Sequence, residues 1–445
     1  MPSCFDELCV EWQNCLSDAS ISPRLLLLKQ FRDDFQCLPE LQTALLNDFS
    51  SVLRERYPPL RIQDVYLFLT NKLHLSLGES PIPSDEALRL KDALLIDSKM
   101  RHYFRSIAPL DHGWRSWRRS QIQRFDREDV SARSSQIMHI PFAIELTQGC
   151  SGGCSFCGLS ASYLSTVRAS SEATYESFTD FLLKMRDFHG EFGQCGVLYW
   201  ASDPLDCPEY LDYARIFFKV FNTWPSTTTA LAEKFPDRFR ELLSTGILNR
   251  PWAVRCSLRN KDAYYKIQKN TSLSERFGIV FIPQFAADRL VQANAGRLYS
   301  PISETDQNQK GATIACMSGL LVNMVQQSIQ LVTPCLAEPN HRDGYRSLLK
   351  AEIDSISNLT KYATEFISKL PLLPIKATDK LSVAVHSSQF HLYERDDCFG
   401  VLSLLAKSSL TLQQLTPLVP DSVTQLSLFT YCIEMMQYGV IYVSE

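Results

Sequence analysis

Residues 141–161 read PFAIELTQGCSGGCSFCGLSA and hold three cysteines behind a short apolar run. Cys150, Cys154 and Cys157 follow the spacing Cys-x3-Cys-x2-Cys. The apolar run predicts a buried strand, so the cysteines should leave its carboxyl end in one compact loop. Gly152 and Gly153 lie between the first two thiols, where glycine permits the tight turn that such a loop needs.

Thiolates at this spacing can bind three corners of a [4Fe–4S] cluster, because the two short connections let the sulfurs converge. The fourth iron then has no protein ligand, and S-adenosylmethionine (SAM) can chelate it through its amino and carboxylate groups. Phe156 lies between the last two thiols, where its ring can screen the cluster or lie beside an adenine, and Gly158 follows the last thiol. We therefore expect both residues at the cofactor.

A simpler interpretation is a structural zinc site, or three unrelated buried thiols. Zinc would need a fourth protein ligand. His189 is far downstream of the cysteines, and His139 precedes the strand and so lies at its opposite end. The motif instead resembles the signature of the radical SAM enzymes, a superfamily whose shared fold is a partial (β/α)6 barrel.

Composition narrows the classes of protein that the chain can represent. Its 445 residues allow two or three domains, and 45 basic against 49 acidic residues create no field for nucleic acid or an anionic membrane. No run approaches the roughly 20 apolar residues of a membrane span, and no signal sequence begins the chain. Fourteen cysteines spread along a long chain do not resemble a secreted disulfide framework. We expect a cytoplasmic protein.

The chain divides into three predicted parts. Residues 1–135 show helical periodicity, and Ser84 or Asp85 can cap the helix that follows a proline-rich break. Residues 136–372 alternate apolar runs with helical stretches, which predicts parallel βα units. The candidate strands are 140–146, 196–202, 226–232, 253–259, 278–285 and 328–334. Six units suit the partial (β/α)6 barrel, whose chemistry lies at the carboxyl ends of the strands.

Two further helices are predicted inside this α/β part, an apolar one after Cys316 and a long one from Gly344 to about Leu370. The third part, residues 373–445, reads as an extended piece, three short helices and a final strand. This pattern favours a small winged-helix-like module. Without a basic surplus, such a module should bind peptide rather than DNA.

Polar residues follow several candidate strands. The second ends in YWASDPLDCPEY, where radical SAM enzymes carry a Gly-Gly-Glu-like turn that holds the SAM amino group. This chain has Ser202 and Asp203 there, and the Asp203 carboxylate can accept from an ammonium. An ordinary turn with Asp before Pro is the alternative. Ser257 and Arg259 end the fourth candidate strand, where they can meet the ribose and carboxylate of SAM.

Several blocks make the narrower resemblance, which is to the radical SAM epimerases that mature ribosomally made peptides of the proteusin type. They are SWRRSQIQRF, HIPFAIELTQGCSGGCSFCGLSA, YWASDPLDCPEY, PSTTTA, TIACMSGLLVNMV and LVTPCLAEPNHRDGYR, within residues 114–346. The resemblance implies that a flavodoxin- or ferredoxin-type donor reduces the cluster, which cleaves SAM to methionine and a 5′-deoxyadenosyl radical. That radical removes a Cα hydrogen from a precursor peptide, and a thiol returns a hydrogen atom to give the D-residue.

Cys335 is the expected hydrogen donor, because it directly follows the sixth candidate strand, and Cys316 is the second candidate. No later cysteines form a Cys-x2-Cys pair, so an auxiliary cluster is not expected. Two alternatives stay open. The chain can catalyse another radical peptide modification, such as carbon–carbon or thioether crosslinking, or it can bind a peptide without turnover.

Overall fold

A computed structural model of the chain shows a mixed α/β protein. The residues that it describes are 4–17, 22–70, 73–74, 81–129, 136–285, 293–300, 313–368, 382–385, 400–405, 407, 410–419, 428, 430–432, 434–435 and 441–444. In this part of the chain no helix is both long enough and apolar enough to cross a bilayer.

Helices fill the described part of the first 129 residues, as the periodicity predicts. Ser84 caps the longest of them through a hydrogen bond of 3.2 Å from the Ala87 amide to its side chain, and Ser22 caps the helix that begins at Pro23 in the same way. Their bounds are Cys4–Ser17, Pro23–Cys37, Pro39–Asn47, Phe49–Arg56, Ile62–Val65, Asp85–Ser106 and His112–Glu128.

These helices pack against the strand-containing part and share its core. Trp12 donates from Nε1 to the Leu248 carbonyl at 2.8 Å, and Trp252 donates back to the Ala93 carbonyl at 3.2 Å. Both indoles are buried, so their apolar rings are removed from water while their N–H groups stay satisfied. The helical region and the sheets therefore form one folded body.

Two main sheets contain the strands between residues 140 and 352. A parallel sheet has the order β4-β5-β6, formed by Thr227–Thr229, Val254–Leu258 and Ile279–Pro283. A mixed sheet has the order β1-β7-β8-β9, formed by Ile140–Glu145, Met317–Asn323, Ser328–Pro334 and Tyr345–Glu352. Two short strands, β2 (Thr147–Gln148) and β3 (Thr166–Val167), pair beside the cysteines.

The mixed sheet corrects three of the sequence predictions. Met317–Asn323 is a strand parallel to β1, where an apolar helix was expected. Tyr345–Glu352 is a strand, and the helix after it, Leu359–Ser368, is shorter than expected. Ser328–Pro334 is present but antiparallel to β7, so it is not a sixth parallel strand.

The remaining candidate strands agree more closely with the structure. The predictions at 140–146, 226–232, 253–259 and 278–285 contain β1, β4, β5 and β6. Residues 196–202 form only an isolated parallel bridge, between Val197 and Ala143 of β1. The helices of this region are Glu172–His189, Tyr210–Phe221, Pro236–Ser244, Lys261–Asn270 and Leu273–Phe277. The described residues therefore do not form a complete six-unit barrel.

The C-terminal segment has a separate small core. Its strands Ser382–Val385, Leu410–Thr411 and Ile441–Ser444 form an antiparallel sheet with Ser382–Val385 in the middle. Short helices at Val401–Leu405 and Leu412–Leu415 accompany it. This arrangement is compatible with the predicted module, whose boundary at residue 373 lies outside the described residues and stays a prediction.

The contact between β1 and β7 depends on a proline and a glycine. Pro141 has no amide hydrogen, and the register shifts beside it, from Ile140 opposite Met317 to Phe142 opposite Leu320. Gly319 lies at this irregularity, and a Cβ there would be 1.9 Å from the Pro141 carbonyl oxygen. The two backbones can approach because Gly319 has no side chain.

We expect Gly319→Ala to destabilise the protein, because the new methyl group would overlap with a backbone atom that cannot move without breaking the sheet. The free energy of unfolding should fall by about 1–3 kcal/mol or more. Thermal or urea unfolding measures the change, with Ser347→Ala, at an exposed position of β9, as the control. Equal stability of the two variants would contradict this account of the β1–β7 contact.

Candidate active site

A single cavity of about 810 Å³ collects most of the predicted site residues. Nine of them line it: Cys150, Cys154, Phe156, Cys157, Gly158, Ser202, Asp203, Ser257 and Cys316. Arg259 and Cys335 are not among the lining residues. The N-terminal helices contribute Phe35, Gln36 and Arg101 to the wall.

The cysteine loop is closed by backbone contacts between its two arms. Strands β2 and β3 pair at its base, and the Cys150 amide donates to the Ser162 carbonyl at 2.9 Å. The Leu164 amide donates back to the Cys150 carbonyl at 3.2 Å. All three cysteines lie between these arms, so the loop presents them as one unit.

Two of the three sulfurs in the cysteine loop accept hydrogen bonds from backbone amides. The Gly152 amide donates to Cys150 Sγ at 3.2 Å, and the Ala161 amide donates to Cys157 Sγ at 3.3 Å. Such N–H···S bonds stabilise thiolate sulfur and tune the potential of iron–sulfur clusters. A Cβ at Gly152 would lie 3.2 Å from Cys150 Sγ and 3.3 Å from Cys154 Sγ, so the glycine keeps the space between them open.

Burial opposes ionisation of these thiols. It raises the pKa of Cys150 to about 12 and that of Cys154 to about 11, although Arg259 partly offsets the effect at Cys154. A bound metal cation would supply the positive charge that thiolates need here. Within the described ranges, no three histidine, cysteine or acidic side chains are arranged to hold one metal ion.

Asp203 organises the turn at which sequence analysis expected contact with the SAM amino group. Its Oδ1 accepts from the Leu205 amide at 3.0 Å and the Thr229 hydroxyl at 2.8 Å, and its Oδ2 accepts from the Ala230 amide at 2.7 Å. Burial raises its pKa to about 6, and these hydrogen bonds act in the opposite direction. Asp203 lines the cavity, but its carboxylate already accepts three hydrogen bonds from protein groups. Ser202 beside it accepts weakly from the Trp200 amide, at 3.4 Å.

Arg259 supports the cysteine loop from outside the cavity. It donates to the Gly152 carbonyl at 3.2 Å and forms an ion pair with Glu233. Its guanidinium therefore contacts protein groups, whereas sequence analysis predicted that it would contact the SAM carboxylate. Arg297 has a similar supporting role, because it donates from its side chain to the Cys154 carbonyl at 2.6 Å and from its amide to the Cys157 carbonyl at 2.9 Å.

The two candidate hydrogen donors occupy different environments. Cys316 is partly exposed and lines the cavity, and burial raises its pKa, which keeps the thiol protonated. Cys335 is completely buried, and its amide donates to the Gly344 carbonyl at 3.0 Å. The expectation that Cys335 follows the carboxyl end of a sixth parallel strand was wrong, because β8 is antiparallel to β7 and ends beside the amino end of β7.

Sequence analysis missed three residues that the structure brings to the site. Arg255 and Tyr199 line the cavity, and the Tyr199 hydroxyl lies 2.8 Å from the Thr228 hydroxyl. Asp206 accepts from the Ser151 amide at 2.8 Å and also binds the Ser151 hydroxyl. Arg255 was detectable, because it alternates with Ser257 along β5. Nothing in the sequence indicated that Asp206 holds the cysteine loop.

No family model matches the chain. It is 28% identical over 326 residues to the uncharacterized protein y4wI of Sinorhizobium fredii (strain NBRC 101917 / NGR234), a match that covers 68% of this chain and 63% of the relative. Among solved structures, BtrN in complex with AdoMet and 2-DOIA aligns at 15% identity with a TM-score of 0.32, over 52% of this chain and 86% of BtrN.

We expect Asp206→Ala to loosen the cysteine loop, because the Ser151 amide loses its charged acceptor. A hydrogen bond to a charged group contributes about 1.5–3 kcal/mol, so amide exchange at Ser151 should accelerate about 10- to 150-fold. Hydrogen–deuterium exchange measures this rate. Asp237→Ala is the control, because that side chain is 93% exposed. Unchanged exchange in Asp206→Ala would show that other contacts hold the loop.

Proposed function

We propose that the chain is a radical SAM enzyme that converts L- to D-residues in a ribosomally made precursor peptide. One observation carries the radical SAM part: the thiols of Cys150, Cys154 and Cys157 line one cavity, and backbone amides donate to two of the three sulfurs. The loop that holds them follows β1 and lies beside Leu231, which follows β4, and Arg259, which follows β5. Active sites of parallel α/β proteins form at such strand ends.

The three cysteines would hold a [4Fe–4S] cluster, and Ser202, Asp203, Ser257 and Phe156 would surround SAM. Together the cluster and SAM supply a 5′-deoxyadenosyl radical able to remove a Cα hydrogen. Gly158 and Gly296 support this region, since a Cβ at Gly296 would lie 2.3 Å from the Cys157 carbonyl oxygen. The close packing around these glycines keeps the loop and its ligands in place.

A peptide substrate is supported by the size of the cavity and by the position of the family-like blocks. Small-molecule sites usually occupy about 300–1,000 Å³, so 810 Å³ leaves room for a substrate residue beside a cofactor. Residues from the blocks YWASDPLDCPEY, PSTTTA and TIACMSGLLVNMV line the same cavity. The C-terminal unit with its own core would hold the leader segment of the precursor.

Epimerisation further requires a thiol that can give a hydrogen atom to the substrate carbon. Cys316 is our candidate, because it lines the cavity and is protonated. Transfer breaks its S–H bond and forms the new Cα–H bond. The resulting sulfur radical then takes one electron and one proton, with a flavodoxin- or ferredoxin-type donor as the source of the electron.

The cofactor part of the proposal is tested on protein reconstituted without oxygen. We expect about four irons and four sulfides per chain, because the described cysteine loop can hold one cluster. Single Cys→Ala changes at positions 150, 154 and 157 should abolish the iron signal and the reductive cleavage of SAM. Cys207→Ala is the control, because that thiol is buried outside the cavity lining. Retention of iron and SAM cleavage by the triple variant would disprove the assignment.

The donor is tested by co-expression with candidate precursor peptides in deuterated water. We expect Cys316→Ala to keep its iron and to cleave SAM, but to lose deuterium incorporation at D-residues, because no thiol returns the hydrogen. Cys335→Ala should incorporate deuterium like the unaltered protein. Chiral amino-acid analysis and mass spectrometry measure both.

The opposite pattern, with loss only in Cys335→Ala, would assign the donor to Cys335 and require that residue to become accessible. A peptide lighter by two hydrogens would instead indicate crosslinking. An unmodified peptide together with SAM cleavage would show that the peptide tested is not a substrate, and absence of SAM cleavage in the unaltered, iron-loaded chain would favour a binding protein without turnover.

A further inference from the structure

Strand β5 directs one cation into the cavity. Val254, Cys256 and Leu258 are buried at 1% exposure or less and face the core. The alternate positions, Arg255 and Ser257, are partly exposed and line the cavity. The arginine is therefore an inward residue of the cavity wall.

Arg255 lies deeper in the cavity than the residues near the cysteine loop. In the parallel sheet it pairs with Thr228 of β4 and Val280 of β6, both of which line the cavity. Ser257 is two residues further along the strand, about 7 Å toward the cysteine loop, and Arg259 follows at about 13 Å. This spacing separates Arg255 from the end of the cavity that holds the sulfurs.

The Arg255 guanidinium has no partner in the described part of the chain. Its Nε is buried without an acceptor, and no hydrogen bond or ion pair with a described residue involves the side chain. Other arginines at the cavity differ, because Arg101 binds Asp97 at 2.8 Å and Arg32 contacts Asp33 at 3.4 Å.

None of the described carboxylates that line the cavity, which are those of Asp97, Asp129 and Asp203, pairs with Arg255. Arg250, whose charge acts on the same region, donates to the carbonyls of Trp224 and Gln194 and is not paired with a described carboxylate. Asp97 is already paired, and Asp203 is occupied by three donors. A partly buried guanidinium without a counter-charge is costly, so this position favours binding of an anion.

We propose that Arg255 binds a carboxylate of the substrate, at the end of the cavity remote from the cysteine loop. The planar guanidinium matches a carboxylate through two parallel N–H···O bonds, which a neutral amide cannot reproduce. This inference rests on the proposed peptide substrate. It narrows the substrate to a peptide that has either an acidic side chain or its terminal carboxylate near the modified residue.

Cys316 provides a reporter for this site, because Arg255 exerts the largest charge effect on its thiol. The test compares alkylation of Cys316 by iodoacetate, which carries a carboxylate, and by neutral iodoacetamide, in the full chain loaded with iron. Peptide mapping by mass spectrometry follows Cys316 separately from the other cysteines. We expect iodoacetate to react with saturation kinetics and its rate, relative to iodoacetamide, to fall about tenfold in Arg255→Gln.

Arg255→Lys should keep part of the preference, and Arg240→Gln, on an exposed helix face, should keep all of it. An iodoacetate preference that survives in Arg255→Gln, or that is missing from the unaltered chain, would overturn the proposal. If Cys316 resists both reagents, crystals soaked in iodoacetate give the second measurement through the anomalous signal of iodine. Iodoacetate bound at Arg255 supports the proposal, and iodoacetate bound elsewhere or not at all refutes it.

Protection experiments distinguish the two sources of the carboxylate. Acetyl-Ala-Glu-Ala-amide should slow iodoacetate if the group is an acidic side chain, and acetyl-Ala-Gln-Ala with a free terminus should do so if it is a chain end. Acetyl-Ala-Gln-Ala-amide is the matched neutral control. Protection by glutarate but by no peptide would keep the Arg255 site and remove the peptide substrate. Protection by no anion would remove the Arg255 site and leave the cluster assignment intact.

Discussion

The cysteine loop depends on one close approach between backbones, at Gly149. This residue has a φ of +82°, and a Cβ on it would lie 2.3 Å from the Tyr163 carbonyl oxygen. Only glycine allows the two arms of the loop to meet there. This close approach lets the Cys150 amide donate to the Ser162 carbonyl and lets β2 pair with β3. Backbone contacts therefore hold the loop that contains the three thiols.

The N-terminal helices are joined to the sheet by buried polar contacts as well as by apolar packing. Lys29 is 2% exposed, and its Nζ contacts Asp33 at 2.6 Å and the Ile279 carbonyl at 3.1 Å. Asp34 accepts from the hydroxyls of Tyr57 and Tyr264 at 2.6 and 2.7 Å. Breaking one partner of such a network leaves a buried charge or donor unsatisfied, which is costly. The helices can therefore form a permanent wall of the cavity, which explains why their residues line it.

Sequence patterns predicted those strands and helices for which the local sequence and the tertiary packing favour the same secondary structure. Strands β5 and β6 are flanked by helices and turns, and both were found within two residues of their ends. Met317–Asn323 was missed because all seven residues are buried, and a continuous apolar run cannot distinguish a strand from a buried helix. Tyr345–Glu352 was missed because the register between β8 and β9 shifts beside Leu331, which interrupts the alternation of apolar and polar side chains along β9. The cysteines were found from spacing alone, whereas the contacts of Asp206 and Arg297 join distant segments and leave no local signal.

The register of β5 links the two ends of the cavity. A slip of one residue would turn Arg255 and Ser257 into the core and bring Cys256 to the cavity, which would bury a guanidinium among apolar side chains. The burial of Val254, Cys256 and Leu258 opposes that slip. Pairing with β4 on one edge and β6 on the other also opposes it, because a slip would break the hydrogen bonds to both neighbours. The separation between the proposed carboxylate site and the cysteine loop is therefore set by a strand held on both edges. If a substrate carboxylate binds Arg255, the carbon that lies at the cofactor is the one whose distance from that carboxylate matches the distance along β5. This distance, more than the volume of the cavity, would therefore select which substrate carbon reacts.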